Sequence, residues 1–189
     1  FGLTHVGKVR TENQDQFLIA SLHKTMAVHS TSLPRAELGE LRSPSRGYVF
    51  LVADGVGGVP GGQDASRTAL RAVTDYVLRA MDLYVQMDAE VEAEFLRELQ
   101  KSVERSHEAV LEAGASDEEK EGMATTLTMV CIRWPRGYLV HVGDSRCYRF
   151  RDGQLELLTK DQTMAQAMVD AGALSPDQAE RSGLSHVLY

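Results

Sequence analysis

A six-residue apolar run, Tyr48-Val49-Phe50-Leu51-Val52-Ala53, stops at Asp54 and gives way to five glycines within the nine residues 54–62. The run is rich in β-formers and has the length of a buried strand, so it predicts one. The glycines end that strand and demand tight turning or close approach of another backbone. Asp54 therefore projects from a strand end beside exposed main-chain carbonyls, and hard divalent cations take oxygen ligands of both kinds. The same residues also suit a glycine-rich turn whose Asp caps the following helix.

The rest of the chain supplies partners for that strand. Phe17-Leu18-Ile19-Ala20 is a short strand-like run directly after a polar cluster. Residues 21–47 carry Ser, Pro, Arg and Gly without a period and read as a long loop. Ala65, Ala69, Leu70, Val73, Val77 and Leu78 predict a helix over 64–81. Val91, Phe95, Leu99, Val103, Val110 and Leu111 predict another over 89–113, with Gly114 as its stop. Strands are expected over 125–132, 138–142 and 145–151. Asp152-Gly153 marks a hairpin into 155–158. Two short helices around Ala171-Gly172 close the chain. Segregated strands and helices indicate an α+β fold in one domain spanning 1–189.

Composition narrows the function. The 27 Asp and Glu against 20 Lys and Arg give a net charge of −7, and a general nucleic-acid-binding face needs the opposite sign. A local phosphate or cation site remains open. No apolar stretch is long enough for membrane insertion. The opening Phe1-Gly2-Leu3-Thr4-His5 has no signal-peptide pattern, and two cysteines make no disulfide framework. A reducing, cytoplasmic setting is expected.

Motif spacing excludes several chemistries. No Lys follows the glycines, so there is no P-loop, and Pro60 breaks the dinucleotide fingerprint. Neither Cys131 nor Cys147 has an Arg six positions on, as a cysteine phosphatase requires. There is no Asp-x-Asp, no G-x-S-x-G and no H-E-x-x-H. The six histidines are scattered and read as structural, the cysteines as small core residues, and the methionines as core or surface filler.

Two further clusters hold usable groups. Arg10-Thr11-Glu12-Asn13-Gln14-Asp15 contains a guanidinium able to grip phosphate in bidentate fashion and a second carboxylate. It also suits a solvated, capped turn. Gly143-Asp144-Ser145-Arg146 sits between two strands, where a plain β-turn is the alternative.

Arg10-x-x-Asn13-Gln14-Asp15, Asp54-Gly55-x-Gly57-Gly58, Gly122-x-x-Thr125-Thr126 and Gly143-Asp144-Ser145-Arg146, in this order, resemble the metal-dependent type 2C protein Ser/Thr phosphatases of the PPM family, in a bacterial form. The resemblance implies two packed, mostly antiparallel β-sheets flanked by helices, with residues 160–189 as a flap-like segment. It implies hydrolysis of phosphoserine and phosphothreonine in proteins at a dinuclear Mn²⁺ or Mg²⁺ site, by a metal-activated water without a phosphoenzyme. Asp54 is then expected to bridge both metals and the water, Asp15 and the Gly55 backbone carbonyl to ligate metal, and Arg10 to bind the phosphoryl group. Asp144 is expected to serve a third metal. Partners are expected to be phosphoproteins made by Ser/Thr kinases; oligomeric state is left open.

The chain departs from the family pattern at four points. Gln14 replaces a frequent Glu, Val56 replaces a His proposed as general acid, and Gln162 replaces a common His. The family pattern also continues past a flap into strands bearing two more metal-binding Asp positions, so the 189 residues are expected to be part of a longer phosphatase. This piece alone is expected to have little activity. A phosphatase-like binding or regulatory module without turnover is the alternative.

Overall fold

The computed structural model describes residues 1–23, 47–56, 61–80 and 88–189. Most of the expected 21–47 loop, and Gly57, Gly58 and Pro60, lie outside the described residues. The elements in chain order are β1 (Asp15–Leu22), β2 (Gly47–Asp54), α1 (Gly62–Ala80), α2 (Ala89–Ala115), a 3₁₀ turn (Glu118–Lys120), β3 (Leu127–Arg133), β4 (Arg136–Val142), β5 (Tyr148–Arg151), β6 (Gln154–Leu157), α3 (Met164–Asp170) and α4 (Pro176–Glu180).

β1–β4 form one antiparallel sheet in the order β1-β2-β3-β4, and β5–β6 form a second, two-stranded sheet. With the four helices of the described residues this is the α+β architecture expected from the sequence. Strand side chains alternate between faces, so β2 sends Val49, Leu51 and Ala53 to one side and Tyr48, Phe50, Val52 and Asp54 to the other. The first set meets Leu127, Met129, Cys131 and Tyr138 of the sheet, and Val73, Val77, Phe95 and Leu99 of the helices, in one buried core. The second face is apolar but more open: Tyr48, Phe50 and Val52 are 46%, 37% and 44% exposed among the described residues. The continuous apolar run of β2 is therefore buried on its helix side and half-buried on the other.

Local chemistry sets the element ends, and some expectations need correcting. Asp88 caps α2 by accepting from the N–H groups of Glu90 (3.0 Å) and Val91 (2.9 Å). That helix does not stop at Gly114 but runs on to Ala115. A Cβ at Gly114 would sit 3.2 Å from the Lys120 carbonyl, so this glycine serves close packing. Leu78 and Leu111, placed on the apolar stripes by spacing, are exposed. α2 turns Ser102 and Ser106 inward instead, and the Ser106 hydroxyl donates to the Ala69 carbonyl across the helix pair (3.3 Å). Residues 145–147 are not strand; β5 begins at Tyr148, and Cys147 sits outside it, half-buried. Cys131 is a core residue, and its burial pushes the thiol up to about 11. The β5–β6 turn has positive φ at Asp152 (51°) and Gly153 (76°), as a two-residue hairpin requires.

Leu51 is 1% exposed at the centre of the core. Leu51→Ala is expected to cost about 3 kcal/mol, read as a lower urea midpoint at unchanged slope.

Candidate metal centre

The site begins with strand register. In the β1–β2 pair Asp15, the first residue of β1, stands directly opposite Asp54, the last of β2. Directly opposed residues project on the same face, about 5 Å apart at Cβ, so the two carboxylates are neighbours by construction. They point to the open side of the sheet, away from the helices. Like charges so placed repel unless one is protonated or a cation lies between them.

Each strand end is fixed by hydrogen bonds. The Asp54 N–H donates to Thr126 Oγ1 (3.1 Å), and its carbonyl accepts from the Thr126 N–H (2.8 Å) and from Thr125 Oγ1 (2.8 Å). The Gly55 N–H donates to the Gln14 carbonyl (3.1 Å), which also accepts from the Ser66 hydroxyl of α1 (2.6 Å). Asn13 Oδ1 accepts from the Asp15 N–H (3.1 Å), and its amide donates to Thr4 Oγ1 (2.8 Å). The Thr4 hydroxyl reaches Asp15 Oδ2 at 3.5 Å.

Two glycines are dictated by packing. A Cβ on Gly55 would collide with the Gly62 carbonyl at the start of α1, so the bare residue there answers to close approach of the helix. Gly143 has φ 105°, and a Cβ would lie 2.6 Å from Thr126 Cγ2. Gly143 thus lets the Asp144 turn settle against Thr126, whose backbone and hydroxyl hold Asp54. The Thr126 and Ser145 hydroxyls join at 2.9 Å across that contact.

Around these residues is a polar cleft of about 410 Å³. Arg10, Asp15, Asp54, Gly55 and Asp144, all singled out from the sequence, line it together, with Gln14 and Val56 beside them. Burial, then the charge of Asp15 and a hydrogen bond with it, then the charge of Asp144, push the Asp54 carboxyl from 3.8 up to about 6, against the opposing pull of Arg10. Among the described residues no three His, Cys, Asp or Glu side chains come close enough to hold one ion. The carboxylates that could hold a cation are the Asp15–Asp54 pair, with Asp144 also lining the cleft and its charge felt at Asp54. An oxygen-only pair under mutual repulsion fits a hard divalent cation, which removes the repulsion that raises Asp54.

Sequence reasoning missed part of the lining. His5 and His186, taken as structural, both line the cleft, as do Val6, Glu12 and Leu188. His5 Nδ1 accepts from the Gly7 N–H (2.9 Å). His186 arrives because the chain end folds back: Leu188 pairs with Thr163, and the Met164 N–H donates to the Val187 carbonyl (2.7 Å). No periodicity marks such a return. His141 does act structurally, bonding Thr128 Oγ1 (2.9 Å) and the Lys160 carbonyl (3.1 Å). Arg146 is engaged by Asp161 in a fork (Nη2 to Oδ2, 2.7 Å).

Comparison with known proteins establishes the family. The protein phosphatase 2C family model matches residues 37–181. The chain belongs to that family. It is 34% identical over 151 residues to the serine/threonine protein phosphatase PstP of Mycobacterium tuberculosis, covering 77% of this chain and 27% of PstP. It is 29% identical over 180 residues to the protein phosphatase PhpP of Streptococcus pneumoniae, covering 94% of this chain and 61% of PhpP. The PstP catalytic domain, solved in complex with two manganese ions, superposes with a TM-score of 0.64 at 28% identity, covering 93% of this chain and 60% of that one. This 2C-family chain thus spans less than two thirds of these relatives. No helix among its described residues is long and apolar enough to cross a membrane.

The raised Asp54 carboxyl sets a pH dependence. An acid raised in the folded state favours folding while protonated, so its contribution is present below about pH 4 and lost as pH rises through about 6. The Asp54 contribution in metal-free protein is therefore expected to be lost between pH 4 and 7, so that wild type loses stability relative to Asp54→Asn over that range. Mn²⁺ is expected to raise the melting temperature more at pH 7.5 than at pH 5, because the proton must leave first. Thermal melts with and without Mn²⁺ check both.

Proposed function

We propose that the protein containing this chain hydrolyses phosphoserine and phosphothreonine in proteins at a Mn²⁺ or Mg²⁺ site. The observation that carries this is the cross-strand Asp15–Asp54 pair, in one polar cleft with Arg10 and with Asp54 raised to about 6. Bound metal supplies Lewis acidity and makes water a nucleophile near neutral pH. The chain's own residues do the rest. Asp54 and Asp15, with the Gly55 carbonyl, hold the cations. Arg10 binds phosphoryl oxygens through its planar fork and places phosphorus before the carboxylate pair. Val56 offers no proton at the cleft wall, so the leaving alkoxide takes its proton from solvent or from another lining group.

Two metals in the complete site, a third at Asp144, substrates supplied by Ser/Thr kinases and a cytoplasmic setting are parts of the same proposal. Membership of the family, and the manganese in PstP, support the metal reading. Gln14 takes a second role here: a Cβ at Gly62 would lie 3.0 Å from its Cδ, so its amide packs on the start of α1 while lining the cleft.

The test uses the full-length protein and a phosphothreonine peptide. Mn²⁺-dependent phosphate release is expected, lost to background in Asp54→Ala, and cut about 10²-fold in kcat/KM by Arg10→Ala, the scale of losing one transition-state donor. No release from folded wild-type protein with Mn²⁺ would leave the non-catalytic binding module in its place.

A further inference from the structure

Asp144 is held by a part of the chain that the catalytic reading does not use. Residues 158–162 run alongside 141–147 and bond to them at nearly every step. The Leu158 N–H donates to the Cys147 carbonyl (2.8 Å), and the Cys147 N–H to Thr159 Oγ1 (3.1 Å). His141 Nε2 reaches the Lys160 carbonyl (3.1 Å), and Asp161 forks onto Arg146. Gln162 bonds Gly143 twice: its backbone N–H donates to the Gly143 carbonyl (2.8 Å), and its side-chain Oε1 accepts from the Gly143 N–H (2.9 Å). Its Nε2 extends to the His141 carbonyl at 3.5 Å.

Asp144 thus lies between two grips, Gln162 on Gly143 and Asp161 on Arg146. The Gln162 grip is the more demanding. Gly143 is buried, its φ of 105° is held against Thr126, and its N–H has no solvent to turn to if the amide is lost. The next residue, Thr163, caps α3 and pairs with Leu188, so the segment that returns His186 to the cleft starts where this grip ends.

We infer that Gln162 is a positioning residue for Asp144, its side-chain carbonyl fixing the Gly143–Asp144 turn and tying it to the root of the 163–189 segment. The amide carbonyl does the work, and an imidazole nitrogen of similar reach can replace it. The metal consequence rests on the phosphatase reading; the hydrogen bond does not. Removing a direct outer partner of a ligand costs about 10–100-fold in metal affinity, and Gln162 acts one residue away, through Gly143, so the low end of that range is expected.

The experiment compares wild type, Gln162→Leu, Gln162→His and Asp144→Ala in the full-length protein, by amide hydrogen exchange over 141–147, direct Mn²⁺ titration calorimetry and kcat/KM against Mn²⁺ concentration. Gln162→Leu keeps the volume and removes the acceptor. It is expected to speed exchange at Gly143 about tenfold or more and to weaken the Asp144-dependent Mn²⁺ step about tenfold. Gln162→His is expected to restore both. In the Asp144→Ala background Gln162→Leu is expected to add no further loss of Mn²⁺ affinity. Unchanged Gly143 exchange, failure of His to rescue, or an undiminished Gln162→Leu effect without Asp144 overturns the inference. A folded wild type without Mn²⁺-stimulated hydrolysis overturns only the phosphatase reading, because exchange and Mn²⁺ binding still judge Gln162.

Discussion

Asp15 and Asp54 face each other across an antiparallel pair, and much of the structure is arranged to keep them there. Opposed carboxylates are the arrangement a sheet avoids, since like charges directly across from one another destabilise it. The fold absorbs this at the end of the sheet, where the Thr125–Thr126 segment takes both the N–H and the carbonyl of Asp54. With its backbone committed, the strand end keeps Asp54 opposite Asp15, and burial together with the charges of Asp15 and Asp144 raises its carboxyl to about 6. Such a pair is poised for a cation rather than for itself.

Close backbone packing provides the second constraint. Gly55 lies under the Gly62 carbonyl, Gln14 packs on Gly62, and Ser66 reaches back to the Gln14 carbonyl. The start of α1 is therefore clamped over both strand ends that bear the carboxylates. Gly143 makes the corresponding approach on the other side, against Thr126. The site is built where three backbone segments come too close for side chains, so its rigidity comes from glycine geometry and main-chain hydrogen bonding together.

Strong periodicity and turn chemistry were legible in the sequence. The β2 run, the Asp152-Gly153 hairpin and the two long helices follow from local pattern, and the ordered motifs carried Arg10, Asp15, Asp54, Gly55 and Asp144 into one cleft. Other features were not legible, for physical reasons. Gly114 looks like a helix stop by propensity, yet it continues the helix because the Lys120 carbonyl needs the space. Leu78 and Leu111 share the helical spacing, yet each follows a buried residue, Val77 or Val110, and falls at the outer edge of the buried stripe, which Ser102 and Ser106 complete on α2. His5 and His186 carry no local signal, since each enters the cleft only through the path of its segment in space.

The sequence by itself determined the types of group available and their place on each element: carboxylates at strand ends, glycines after them, an arginine in a polar cluster. Alternation with period two also determined that Asp54 points away from Val49, Leu51 and Ala53. Tertiary structure alone decided that Asp15 meets Asp54, because cross-strand register joins residues 39 positions apart and is set by pairing over the whole strand. It alone decided that Gln162 grips Gly143 and that His186 reaches the cleft. Those contacts depend on where the chain returns in space, and single-residue pattern carries no record of that.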